Sequence, residues 1–274
     1  MKINILLENN RIDSQYKSKH GLSILIKHKN KNVPLDVGPD NKFIENAKKM
    51  NLDLENVEML FLSHSHYDHT KGLNSFFKFN KKADVYLMDK IKNSYYLKTK
   101  LFNIPIGISI HKRYHSRIIE LNDDLKIDNY IYFVKNIINV YEKPTSNNVL
   151  FKKEGKKLIN DTFDHEGTLV LEENNELIIF NSCSHNGLLN IIENIERNFP
   201  NKKIKSYVGG LHLSNPRTKK HESREYLDFL IKNINIKNIV IYTGHCTGKY
   251  AYDYLKNGLK DKIQEINTGM ELNI

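Results

Sequence analysis

Cysteine is nearly absent: the 274 residues contain two, Cys183 and Cys246. Both lie in motif-like segments, so they build no disulfide framework, and a reducing, cytoplasmic setting is expected. Long hydrophobic runs are absent too. No window approaches eighteen consecutive apolar residues, which argues against a membrane-spanning helix. The opening segment MKINILLENNR has a brief apolar run interrupted by Glu8, Asn9 and Asn10, and no secretory leader is expected from it. Glycine and proline form no enriched arm of the kind that grips tRNA.

Hydrophobic residues make up 39% and aromatic residues 10% of the chain, enough for a globular protein with one large core. At this length a single layered α/β domain is ordinary. The net charge is +10 and the pI about 9.3, a balance that favours polyanions or a phosphorylated substrate. The lysine runs at 27–32 and 152–157 are scattered and sit in expected turns. They are read as solvated faces, and a nucleic-acid partner is not expected.

The stretch that organises the chain is Leu60-Phe61-Leu62-Ser63-His64-Ser65-His66-Tyr67-Asp68-His69. The apolar run before it (Val57, Met59, Leu60, Phe61, Leu62) suits a short strand buried on both faces. Imidazole and carboxylate are the usual donors of a catalytic zinc site. In an extended segment side chains two apart point the same way, so His64 and His66 can grip one ion. Asp68 and His69 come where the chain turns towards a helix and can face a second ion. The bland alternative is a solvated, histidine-rich turn.

Strands are expected at residues 2–8, 22–28, 33–37 and 83–88, with a helix capped by Asp40 reaching about residue 50 and another from near His69 carrying Leu73, Phe76 and Phe77. From 89 to 160 the pattern blurs, and an irregular or helical insertion with one strand near 131–134 is expected. It can be a substrate wall over the site, or its tyrosines (Tyr95, Tyr96, Tyr114, Tyr130, Tyr132, Tyr141) can simply plug the core edge. His111 and His115 are one helical turn apart but lack a third donor and are read as surface residues. Beyond, a hairpin at 168–180, a helix carrying Leu188, Ile191, Ile192 and Ile195, and strands at 204–208 and 239–242 follow. The 204–208 and 239–242 strands are separated by a helix carrying Tyr226, Leu227 and Leu230; a helix over 250–259 and a last strand from Ile263 close the pattern. Four separate apolar strands thus each lead to a histidine: His64, His185, His212 and His245. Sites in open α/β sheets gather outside the carboxyl ends of strands, where these imidazoles can converge.

HSHYDH resembles the HxHxDH signature of the metallo-β-lactamase superfamily. His20-Gly21-Leu22-Ser23, Leu35-Asp36-Val37-Gly38, Ser182-Cys183-Ser184-His185, Gly209-Gly210-Leu211-His212 and Gly244-His245-Cys246-Thr247-Gly248 resemble, in that order, its branch of dihydropterin-(ribofuranosyl)aminobenzene-phosphate synthase-like proteins. The resemblance spans nearly the whole chain. It implies an α/β (α+β, four-layer) fold, the αββα sandwich of two mixed β-sheets flanked by helices, in a single domain over 1–274. It also implies two divalent metal ions, zinc with manganese or iron as alternatives: His64, His66 and His185 hold one, Asp68, His69 and His245 the other. Ions roughly 3.5–4 Å apart would share a bridging hydroxide. Asp68 would orient that nucleophile as well as bind metal, and Asp36 would brace the loop. His212 has three open roles: donating to an anionic substrate or leaving group, binding metal, or packing beside the glycine pair.

Three departures from the superfamily pattern stand out. Cys183 sits near the slot of a bridging aspartate, Lys71-Gly72 replaces a double glycine, and His165 is a reserve ligand. The leading expectation is a cytoplasmic metal-dependent hydrolase acting on a small phosphorylated or otherwise anionic ester, and without a leader a secreted lactamase is not expected. The second is the branch's synthase activity; a nuclease and a non-catalytic metal- or ligand-binding protein rank below. Sequence leaves substrate, native metal and oligomeric state open.

Overall fold

The computed structural model describes residues 1–90, 93–215, 218 and 220–274. The chain divides into two compact units, one of residues Met1–Asp123, Leu150–Gly167 and Ile266–Ile274, the other of Asp124–Val149 and Thr168–Glu265.

In the first unit, β1 (Lys2–Leu7), β2 (Ser23–His28) and β3 (Lys31–Leu35) pair antiparallel, and β4 (Met59–Leu62), β5 (Asp84–Leu87) and β8 (Ile118–Glu120) continue from β3 in parallel. A last strand, β18 (Glu271–Asn273), closes the β1 edge of this mixed seven-stranded sheet. Helices α1 (Lys42–Lys49) and α3 (Leu73–Phe79) bury Phe43, Ile44, Ala47, Leu73, Phe76 and Phe77 against Leu7, Leu25, Leu60, Leu62 and Val85. Phe61, on the opposite face of β4, is buried as well, as the continuous apolar run requires. Asp40 acts one position before the N-cap Asn41, accepting the Lys42 N–H at 3.0 Å. β3 ends at Leu35, two residues before the expected end, because Asp36 adopts φ +57° and turns its carboxylate back towards β4. Asn80 ties this unit's loops together: its amide donates to the carbonyls of Leu54, Glu55 and Val57, and its oxygen accepts the N–H groups of Lys82 and Ala83.

The stretch 89–160 has the strand expected near 131–134 but differs elsewhere from the expectation of irregular or helical chain. Its described residues carry seven short strands: β6 (Tyr95–Lys98), β7 (Asn103–Pro105), β8, β9 (Leu125–Lys126), β10 (Ile131–Lys135), β11 (Leu150–Glu154) and β12 (Lys157–Asn160). In the first unit, β12, β11, β6 and β7 form an antiparallel sheet of their own. The mixed Lys, Asn and Ile composition gave no period because these strands are two to five residues long and mostly half exposed. The tyrosines divide: Tyr114 packs on the first unit's core, Tyr132 and Tyr141 on the second's, and Tyr95 is buried beside the histidine loop.

The second unit holds a sheet in the order β17 (Ile263–Glu265), β16 (Val240–Thr243), β15 (Lys203–Val208), β14 (Glu176–Phe180), β13 (Gly167–Glu173), β10, β9. β14 to β17 run parallel, while β13 and β14 form the expected hairpin. Its two-residue turn, Asn174-Asn175, has φ +50° and +67°, the geometry whose twist matches that of paired strands. Helices α4 (Leu188–Asn198), α5 (Arg224–Lys237) and α6 (Lys249–Leu259) bury Ile191, Ile192, Ile195, Leu227, Leu230, Ile234 and Leu255 against Leu177, Ile179, Ile204 and Ile241. At roughly 1.5–3 kcal/mol for each fully buried Leu or Ile, this face is the unit's main stabilising term.

Candidate metal centre

In the first unit the end of β4 delivers Ser63, His64, Ser65 and His66, and the short helix α2 (Tyr67–Thr70) follows with Asp68 and His69. His64, His66 and His69 are 5% exposed or less. Their rings cluster, with centroids 4.7 Å apart for His64 and His66 and 4.3 Å for His64 and His69.

Asp36 organises this cluster. One carboxylate oxygen accepts the Ser63 N–H at 2.8 Å; the other accepts the Ser63 hydroxyl at 2.7 Å and faces Nδ1 of His69 at 2.8 Å. A carboxylate only accepts, so His69 carries its proton on Nδ1. The Ser63 hydroxyl has one hydrogen and gives it to Asp36, so its 2.8 Å contact with Nδ1 of His64 is donated by the imidazole. Both rings therefore turn a lone pair outward at Nε2, the nitrogen a metal takes.

Asp68 brings its Oδ2 to 3.6 Å from Nε2 of His69. With metal–ligand bonds of about 2.0–2.2 Å, two donors on one tetrahedral ion lie about 3.4 Å apart, so this pair fits a shared cation. His20, which the sequence marked only as part of the resemblance, stands 3.4 Å from the same oxygen. Gly21 makes that approach possible: its φ is +144°, and a Cβ there would lie 2.3 Å from the Asp68 carbonyl.

His165 braces the loop from behind. Its Nδ1 accepts the Ser65 N–H at 3.2 Å and its Nε2 sits 3.0 Å from Asp161, so both nitrogens are engaged. Burial raises the Asp161 carboxyl, but the imidazoles of His165 and His66 outweigh it and hold the group well below the usual carboxylate range. Burial lowers His66, which favours the neutral, ligating form. The Ser65 hydroxyl donates to Asp89, which also accepts from Asn93 and from Tyr95 at 2.9 Å.

In the second unit three neighbouring parallel strands, β14, β15 and β16, end side by side and deliver Cys183 with His185, His212, and His245 with Cys246. Backbone bonds lace their loops, from Gly209 to Tyr242 at 2.9 Å and from Gly210 to Ser182 at 2.9 Å. Ser184, His212 and His245 all have φ near +50°. Such strain in non-glycine residues gathers where side chains must be aimed.

Nδ1 of His185 lies 2.9 Å from Oδ1 of Asn147, and Asn147 donates its amide to the His185 carbonyl at 2.8 Å. That second bond fixes the amide's orientation, so His185 too is protonated on Nδ1 and turns its lone pair to Nε2. The His185 and His212 rings are 4.1 Å apart. The donor atoms of Cys183, His212 and Cys246 all lie within 4.8 Å of one another. Burial would raise the Cys246 thiol, but its contact with Cys183 and the imidazoles of His245 and His212 bring it well below the ordinary thiol range.

A cavity of about 680 Å³ in the same unit is lined by Lys143, Thr145, His221, Glu222, Arg224 and Tyr250, among others. Lys143 donates to Asn186, the neighbour of His185, at 2.7 Å. The expected surface histidines His111 and His115 are exposed. Among the described residues no helix is long and apolar enough to cross a membrane.

Residues 19–125 match the family model of the metallo-β-lactamase superfamily. A protein of Methanocaldococcus jannaschii named 7,8-dihydropterin-6-methyl-4-(beta-D-ribofuranosyl)-aminobenzene-5'-phosphate synthase is 26% identical over 274 residues, covering 94% of this chain and 90% of that protein. The crystal structure of a metal-dependent hydrolase of the β-lactamase superfamily superposes with a TM-score of 0.84 at 25% identity, over 100% of this chain and 99% of the other. Zinc-bound PqqB from Methylobacterium extorquens shares the fold at 11% identity, with a TM-score of 0.56 and both chains covered completely.

Proposed function

We propose that the chain is a member of the metallo-β-lactamase superfamily, whose family model matches residues 19–125, and that it is a metal-dependent hydrolase acting on a small phosphorylated or otherwise anionic ester. His64, His66 and His185 hold one divalent ion in this reading, and Asp68, His69 and His245 hold the other. The observation that carries it is the common grip on three of these imidazoles: Ser63, Asp36 and Asn147 each take the Nδ1 proton of one. Metal-ligating histidines are held this way, with Nε2 aimed at the ion.

When bound, two divalent ions supply Lewis-acid polarisation of the group under attack and lower the proton affinity of a water. The chain's residues do the rest. Asp68 holds the nucleophile's proton and direction through the oxygen that faces His69 and His20. Lys143 and Arg224 line the second unit's cavity beside Glu142 and Glu222, and the two cations offer contacts to an anionic group. Tyr226 and Tyr250 offer rings beside it. Of the roles open to His212, metal binding fits its sulfur-rich surroundings best.

A second reading is a synthase, favoured by the relative from M. jannaschii, whose name describes a phosphorylated aminobenzene product and whose match covers 94% of this chain.

The deciding experiment loads the protein with zinc or manganese and offers phosphomonoesters, phosphodiesters and lactones. Turnover of a phosphate ester, lost with chelator and restored by metal, is expected. Inertness towards every ester, together with condensation of a pterin with a ribosyl-aminobenzene phosphate, would replace the hydrolase by the synthase.

Asn147 gives a sharper check on the ligand set. Asn147→Ala removes the acceptor from His185 and is expected to weaken metal binding by about 10–100-fold, measured by competition with a chromophoric chelator, while circular dichroism stays that of the parent.

A further inference from the structure

We propose that the outer face of the first unit's four-stranded sheet, β12-β11-β6-β7, docks a single-stranded nucleic acid, with bases stacked on Tyr96 and Phe151 and phosphates held by Lys98 and Lys153. Pairing register defines the two faces. Leu150 stands opposite Leu97, Phe151 opposite Tyr96 and Lys152 opposite Tyr95, and side chains alternate along each strand. Tyr95 and Leu150 are buried, and Leu97, Ile104 and Ile159 are half-buried, so theirs is the inner side. Tyr96, Lys98, Phe151, Lys153 and Leu158 therefore share the outer side, where no position of the four strands carries an acid.

The outer side is an aromatic pair set between cations. Tyr96 and Phe151 are direct cross-strand partners, close enough for their rings to form one platform. Lys98 follows Tyr96 by two residues on β6, and Lys153 follows Phe151 by two on the antiparallel β11, so the two lysines flank the pair on opposite sides. Both are exposed, while the two rings are half-buried. Nζ of Lys98 lies 4.9 Å from the centroid of the Phe151 ring, a weak contact at an exposed site that an arriving base can replace. Beyond Lys98 the turn adds Lys100 and Phe102, the latter 61% exposed. The Thr99 hydroxyl holds that turn by accepting the Phe102 N–H at 3.0 Å. Beyond Lys153 the other turn adds the exposed Lys156 and Lys157.

Rings between cations suit a chain in which bases alternate with phosphates, because every base has a π-face and lysine meets the backbone charge. The charge follows the length of the sheet instead of gathering at one pole, which fits a strand better than a lipid surface. A second copy of this chain would set lysine against lysine, and Pro105 on the β7 edge discourages strand addition. The lysine run at 152–157, read from sequence as a solvated face, thus divides. Lys152 turns to Thr162 and Asp164, and Lys153 is left on the aromatic side. The face does not depend on whether the chain is a hydrolase or a synthase.

Fluorescence anisotropy tests it with the full chain, metal-loaded and in chelator, and labelled oligouridylate and oligothymidylate of about twelve nucleotides. Binding is expected, with log affinity falling against log salt at a slope of about −2, as about three phosphate contacts on a single strand give. Lys98→Ala combined with Lys153→Ala should flatten that slope by about 1.4. Lys31→Ala, in the other lysine run, should leave it unchanged. Tyr96→Ala and Phe151→Ala should each weaken binding about fivefold or more without changing the slope. Phe151→Leu keeps apolar packing and should lose affinity too, with the circular dichroism of the parent. Tighter binding of the ribose strand would assign the face to RNA. The proposal is overturned by binding that does not depend on salt, by full affinity in the double lysine variant, or by aromatic variants that lose nothing. It is also overturned by a dimer in sedimentation that Phe151→Leu dissociates, which would give the face to a second copy. Capture of phosphatidylserine vesicles without oligonucleotide binding would give it to lipid.

Discussion

His66→Ala is expected to lower kcat/KM by about a thousandfold or more, because the Lewis-acid contribution of a bound ion is several kcal/mol and each 1.36 kcal/mol is tenfold in rate. Metal content should fall by one ion per chain in the same preparation. The fold should survive, since the ring's main polar neighbour is the Asp161 carboxylate, 3.9 Å away, which keeps its closer partner His165 at 3.0 Å. Full activity in a protein that has lost the imidazole would remove His66 from the ligand set.

The second large effect is at Asp36, and there stability and chemistry separate. Asp36→Ala strands three buried donors, the Ser63 N–H, the Ser63 hydroxyl and Nδ1 of His69. At about 1–3 kcal/mol for each unsatisfied group, the loss should be at least about 3 kcal/mol. Urea unfolding of the metal-free proteins measures it without interference from the ion. Asp36→Asn keeps the volume but presents an N–H₂ to one of those donors. His69 must then carry its proton on Nε2 instead, which hides the lone pair an ion needs. A milder loss of stability with a 10–100-fold loss of metal affinity is therefore expected. Unchanged affinity in Asp36→Asn would show that the tautomer of His69 does not matter.

The parts of this molecule that could be read from sequence are those in which residue type and period agree. β4 is a short apolar run ending in donors, and it forms as expected with Phe61 buried on one face and Leu60 and Leu62 on the other. Asp36 was legible as a brace because it stands at a strand's end in Leu35-Asp36-Val37-Gly38, which resembles the superfamily's Asp-x-Gly element. The strands before His185, His212 and His245 were legible for the same reason as β4.

What escaped had no local signal. Asn147 is one asparagine in an irregular stretch, and nothing near it in sequence points to His185, 38 residues on. Cys183 and Cys246 are 63 positions apart, and they meet only because β14, β15 and β16 lie side by side in the sheet. The left-handed backbone at Ser184, His212 and His245 is invisible to propensity, which assigns such conformations to glycine and asparagine. β6 to β12 are too short, and their exposed faces too rich in lysine, for a two-residue period to stand out.

Pairing of β18 with β1 joins Lys2 to Asn273, so an entire sheet margin is sealed by residues from the opposite extreme of the sequence. Contacts of such separation form late in folding, because the loop they close is entropically costly. Until then, or in any truncation ending at Glu265, β1 presents an open row of amide and carbonyl groups beside the apolar Ile3 and Ile5. Such a margin is a template for another strand. The short segment from Ile266 onward thus acts as a built-in guard against strand-to-strand clumping.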